Sequence, residues 1–160
     1  MVKSLTNPFL GAPTPLGSLL TAAGQRLSAQ LDGALRTAGF PDLRAAHAPV
    51  FMNVDPGGTR MTVLAERTRM SKQAAGELIR YLATHGYLAV SPDPTDRRAK
   101  LVTLTPEGWR AIAVGEHVIA GLDGWLEQKI GAAAVVRLRE TLTMIADTST
   151  DTGTATGPAD

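Results

Sequence analysis

Residues 93–100 read Asp-Pro-Thr-Asp-Arg-Arg-Ala-Lys and place Arg97, Arg98 and Lys100 within four positions, on a stretch with no large apolar side chain. Cations gathered on such a tip bind anions. An arginine there can enter a DNA minor groove, where the negative potential is high, above all in narrow A·T tracts. A neighbouring carboxylate can hold the guanidinium fork, and Asp96, two residues before Arg98, suits that role. The competing reading is a solvated turn with a weak surface ion pair, which contributes little by itself. A second set precedes it. Ser71, Lys72, Gln73, Gly76, Glu77 and Arg80 fall on one side of a helical period whose other side is Ala75, Leu78, Ile79 and Leu82. Glutamine can pair with adenine, and lysine or arginine with guanine. The small Ala74 and Gly76 would let such a helix approach DNA closely. Taken alone, this pattern also describes a surface helix facing water. The two sets in this order favour nucleic acid.

Charge distribution points the same way. The 160-residue chain carries a net charge of only +1. Residues 60–110 hold nine Lys or Arg against five acids, a local balance of +4 that leaves −3 for the rest. A basic middle between neutral or acidic flanks is the footprint of an anion-binding surface. There is no cysteine, which excludes disulfides, thiolate catalysis and Cys-ligated zinc. No apolar run approaches the roughly 20 residues of a membrane span. The first residues, MVKSLTNPFLGAPTPLG, have no continuous apolar core, so no secretory signal is expected. The expectation is a cytoplasmic protein with no membrane contact.

The elements that must position these residues can be read in outline. Residues 1–15, with three prolines, read as an irregular arm. An apolar stripe at Leu16, Leu19, Leu20, Ala23, Leu27, Leu31 and Leu35 predicts a long helix ended by Gly39. A second helix is expected from Asp42, as N-cap, to about Val54. Pro49 must then either follow its first turn or kink it. Asp-Pro-Gly-Gly at 55–58 breaks the chain. Thr62 is expected to cap a short helix over 63–68, and Ser71 to cap one over 72–85, with Gly86 as its stop. Residues 88–91 and 99–104 read as a β-hairpin around the charged loop. Thr105-Pro106-Glu107 opens a helix to about 129. Gly131 separates it from a last helix over 132–146, and the small polar residues of 147–160 read as a disordered tail.

The sequence therefore predicts a mainly α fold with a small β-hairpin wing. It is a winged helix-turn-helix over 41–105, flanked by helical dimerisation regions at 16–40 and 106–146. The flanking helices carry long apolar stripes with no obvious partner inside so small a winged domain. A two-fold dimer would cover them and set two recognition helices about 34–36 Å apart, one DNA turn.

The stretch MTVLAERTRMSKQAAGELIRYLATHGYLAVSPDPTDRRAKLVTLTPEG (61–108) resembles the MarR family of regulators. The matching pieces are L-A-E-R…M-S, the helix ending in L-x-x-x-G-Y-L, the D-P-x-D-R-R wing and the following L-T-P-E-G. They cover about a third of the chain, and the flanking helices match the family only in order and length. The resemblance implies a sequence-specific homodimeric regulator of double-stranded DNA, in the first instance a repressor, on a palindromic site. By position, Arg98 would be the minor-groove arginine and Asp96 its partner, with Arg97 and Lys100 beside them. Ser71, Lys72, Gln73, Ala74 and Arg80 would face the major groove or its phosphates, and Thr62 would donate to phosphate. The resemblance also implies a small aromatic or anionic effector, for which His47, Phe51, Met52, Trp109 and His117 could line a cleft. Core packing is the competing role for each of those five. The three histidines have no ligand spacing, so no metal or cofactor is expected. No phosphate loop, nucleophile elbow or paired-carboxylate motif supports an enzyme. A winged-helix protein-interaction module that leaves DNA alone is the remaining alternative.

Overall fold

Pro49 decides the first departure from these expectations. In the structure, a computed structural model that describes residues 13–147, no single helix runs from Asp42 to residue 54. A 3-10 turn, Ala45–His47, leads into a four-residue helix that holds Pro49 in its first turn, where a missing N–H costs no hydrogen bond. Asp42 is not a cap. Its carbonyl oxygen accepts from the Tyr81 hydroxyl at 2.9 Å. The exposed turn start is closed instead by Asp32, whose carboxylate accepts from the Ala45 N–H at 2.6 Å. The arm expected at 1–15 lies outside the described residues except for 13–15. The tail expected at 147–160 does so except for Asp147.

In chain order the elements are α1 (Leu16–Thr37), the 3-10 turn, α2 (Ala48–Phe51), β1 (Thr59–Arg60), α3 (Met61–Arg67), α4 (Lys72–Thr84), β2 (Leu88–Pro92), β3 (Lys100–Leu104), α5 (Pro106–Ile130) and α6 (Ala132–Asp147). This is the winged helix-turn-helix expected, mainly α with a small sheet. The sheet has one strand more than the hairpin read from the sequence. Its order is β1-β3-β2, all antiparallel, with Thr59 opposite Val102 and Arg60 opposite Leu101. β2 and β3 pair from Leu88–Leu104 to Pro92–Lys100. Two residues are too few to show a period of two, so β1 is invisible to pattern reading. It is fixed by polar contacts. Thr59 is buried, accepts from the Asp55 N–H at 2.8 Å and donates to the Asp55 carboxylate at 3.0 Å. Arg67 of α3 donates to the same carboxylate at 2.9 Å.

The core gathers Leu31, Leu35, Phe40, Leu43, Val50, Leu64, Ile79, Leu82, Tyr87, Leu88, Val102 and Ala111. Helix α1 contributes only its C-terminal end. Leu31 and Leu35 are buried, whereas Leu16 and Leu19 are 64% and 53% exposed. Helix α4 packs on α3 and on β2, so the core behind it is formed by the helix-turn-helix and the sheet together.

The join between β3 and α5 is tight. The Thr105 hydroxyl accepts from the Gly108 N–H at 3.0 Å, the N-cap expected, and donates to the Gly86 carbonyl at 2.6 Å. A Cβ on Gly108 would overlap the Tyr87 carbonyl oxygen. Only glycine lets α5 start this close to the end of α4.

The chain divides into two compact units, one up to Ile119 and one from Ala120. Within the second, Arg139 of α6 pairs with Asp123 of α5 at 3.0 Å. Val135 is buried there, while Val136, Leu138, Leu142, Met144 and Ile145 are exposed.

Candidate nucleic-acid interface

Helix α4 is presented as the sequence predicts. Ser71 has extended φ/ψ, and its hydroxyl accepts from the Ala74 N–H at 3.1 Å. Arg69 takes φ 55° in the connection from α3, a left-handed conformation that side chains rarely adopt. Ala75, Ile79 and Leu82 are buried and Leu78 is half-buried, while Lys72, Gln73, Ala74, Glu77 and Arg80 are exposed. The Gln73 amide donates to Glu77 at 3.2 Å one turn on. Thr62 is not the cap of α3. The cap position falls on Arg60 and has no side-chain cap bond, so Thr62 lies in the first turn, exposed.

The wing is built around the carboxylate of Asp93, a residue to which the local pattern assigns no contact. Asp93 is 5% exposed. It accepts from the Thr95 N–H and the Thr95 hydroxyl, both at 2.7 Å, and from Arg60 Nε at 2.6 Å. Arg60 Nη2 also donates to the Thr95 hydroxyl at 3.1 Å. Those hydrogen bonds, from Thr95 first and Arg60 after it, hold the Asp93 carboxyl well below the usual carboxylate range. A depressed folded value means that this anchoring is present throughout neutral pH and fails only as pH falls below the ordinary 3.8. The signal available in the sequence was Asp-Pro-Thr, an Asx-turn pattern. Its arginine partner lies 33 residues away and left no local trace.

Asp96 does something other than expected. Its carboxylate accepts from the Arg98 backbone N–H at 3.1 Å and so shapes the loop backbone; it does not hold the guanidinium. Arg97, Arg98 and Lys100 are exposed.

Helix and wing meet at a concavity of about 260 Å³ lined by Arg60, Met61, Thr62, Lys72, Arg98, Ala99 and Lys100. Four of the seven residues are cations. The site therefore unites residues expected from both readout elements (Thr62 and Lys72 with Arg98 and Lys100) and adds Arg60. Ser71, Gln73, Ala74, Arg80, Asp96 and Arg97 are not among its lining residues.

The five residues proposed for an effector have separate surroundings. His47 is buried. Its Nδ1 accepts from the Arg44 N–H at 3.1 Å, and its ring lies 5.1 Å from that of Tyr81, which in turn lies 4.1 Å from His85. Phe51 packs edge-on to Tyr87 at 6.3 Å. Met52, Trp109 and His117 are exposed. Burial first, then the Arg44 charge, lowers the His47 pKa below 6.5, with Asp32 opposing and His85 adding to the shift. A folded state that resists protonation loses stability as pH falls through 6.5 and down to the lowered value. The melting temperature is thus expected to decline from pH 7 towards pH 5, and to decline less in His47→Gln. Equal pH profiles for the two proteins would contradict this role.

Among the described residues no group of three or more His, Cys, Asp or Glu could hold a metal. No helix among them is long and apolar enough to cross a membrane.

Helix, tight connection, helix and clamped wing, with cations converging where they meet, define a winged helix-turn-helix. Residues 42–99 match the model of the MarR family. No curated protein matches in sequence. Solved structures match in fold. CouR from Rhodococcus jostii bound to p-coumaroyl-CoA is 25% identical with a TM-score of 0.68, covering 84% of this chain and 93% of its own. The transcriptional repressor CouR bound to a 23-mer DNA duplex is 21% identical with a TM-score of 0.73, covering 90% and 99%. A mutant MarR from E.coli complexed with operator DNA is 21% identical, also at 0.73, covering 88% and 99%.

Proposed function

We propose that the protein is a cytoplasmic, homodimeric, sequence-specific transcriptional regulator of the repressor type. In this reading α4 enters the major groove and the wing over 92–100 reaches the minor groove of a palindromic operator. The observation that carries it is the concavity where Arg60, Lys72, Arg98 and Lys100 converge beside the N-terminal turns of α3 and α4. The two DNA complexes among the structural neighbours support it. Pairing is supported by the apolar side chains that α1 and α6 each leave exposed. The division of labour is the one the sequence suggested, with 41–105 on DNA and 16–40 and 106–146 in the dimer. Release by a small aromatic or anionic effector belongs to the same reading, and the p-coumaroyl-CoA complex of CouR supports it.

Salt titration of binding to the DNA upstream of its own coding sequence tests the reading. Each neutralised phosphate adds about −0.9 to the slope of log affinity against log salt. Four lining cations in each of two protomers give an expected slope near −7 by that factor. No binding at low salt would contradict the proposal.

A further inference from the structure

We propose that Arg60, on strand β1, is a phosphate-binding residue as well as the latch of the wing. The proposal rests on the DNA-binding reading above and names a contact outside both α4 and the wing loop. Arg60 spends Nε on Asp93 and Nη2 on Thr95. Its Nη1 has no hydrogen-bond partner among the described residues, and the side chain remains 44% exposed. The Asp93 carboxylate is nearly closed off, 6% exposed, so the cleft meets the guanidinium rather than its counter-ion. The same cleft brings Thr62, Lys72, Arg98 and Lys100 to the residue. A guanidinium fixed on two of its nitrogens loses little further freedom when the third donates to a phosphate oxygen. The ligand class is a backbone phosphodiester lying between the groove read by α4 and the groove reached by the wing. Strand pairing of Arg60 with Leu101 sets the position of that phosphate relative to both.

The two roles of Arg60 separate in a variant series. Asp93→Asn weakens the latch and leaves the Arg60 charge. The double variant Arg60→Gln with Asp93→Asn removes the charge as well, without stranding a carboxylate. Arg60→Lys keeps a charge but not the fork. Each is checked for folding by circular dichroism and thermal melting, then titrated against operator DNA over a range of salt. Asp93→Asn and Arg60→Lys are expected to bind more weakly with the wild-type salt slope. The double variant is expected to lose about 2 from the slope, near 0.9 for each protomer, and to bind at least tenfold more weakly than Asp93→Asn. Equal slopes and affinities for Asp93→Asn and the double variant would make Arg60 a latch alone and overturn the proposal. A wild-type protein that binds no DNA at any salt overturns the regulatory reading, and the proposal with it.

Discussion

Replacing Arg98 by Ala is expected to weaken operator binding about 10- to 100-fold while leaving the melting temperature unchanged. The side chain is exposed and lines the cleft between helix and wing, so its removal opens no cavity. A good arginine contact to DNA contributes about 1–3 kcal/mol, and each 1.4 kcal/mol is about tenfold in affinity. Fluorescence anisotropy on labelled operator reads the loss, and circular dichroism reads the fold. Normal binding by the variant would remove the wing from the interface. Asp96→Asn sharpens the comparison. Because Asp96 accepts a backbone N–H from Arg98, asparagine can make the same bond, and only a small loss is expected. A loss as large as that of Arg98→Ala would restore the guanidinium-holding role first read from the sequence.

Gly108→Ala is expected to destabilise the fold strongly at the start of α5. Gly108 is buried at the start of α5, and its new Cβ would strike the Tyr87 carbonyl oxygen and approach Leu104 Cδ2 at 3.0 Å. The carbonyl is held in place, since it also accepts from the Thr105 N–H at 3.2 Å. Relief requires moving backbone rather than rotating a side chain. Overpacking of this kind costs about 3 kcal/mol, or roughly 6–12 °C in melting temperature for a chain of this size. A thermal melt within a degree of wild type would show that the α4–α5 junction is looser than its geometry.

These two residues also show what a sequence can and cannot disclose. Glycine at 108 stands in a recognisable Thr-Pro-Glu-Gly helix start, and the N-cap, the proline position and the helix all followed from local rules. The reason for the glycine did not, because the Tyr87 carbonyl arrives from another element. The same division runs through the site. Ser71 as a cap, the buried face of α4 and the two strands flanking the charged loop follow from local cap chemistry and from periods of 3.6 and 2. Arg60 and Asp93 make their case only once β1 is laid against β3, a pairing 40 or so residues apart that two residues of strand cannot announce. Pro49 was seen as a difficulty and resolved by splitting the segment into two short turns. The cap of α3 falls on Arg60, two residues before Thr62, within the ordinary uncertainty of a helix start. The wing cations are exposed, as a loop without large apolar side chains predicts, whereas the buried carboxylate of the wing is Asp93, bonded to Thr95 and Arg60, and not the Asp96 that nearness in sequence to Arg98 suggests.

The central claim is that two copies of this winged domain read a symmetric DNA site. Selection of bound duplexes from a random library tests it most directly, because sequence, symmetry and spacing are obtained together. The expected result is an inverted repeat whose half-site centres lie about one helical turn apart, about 10–10.5 base pairs, with A·T-rich flanks where Arg98 meets the minor groove. Enrichment of no sequence, or of a single unrepeated half-site, would contradict the account.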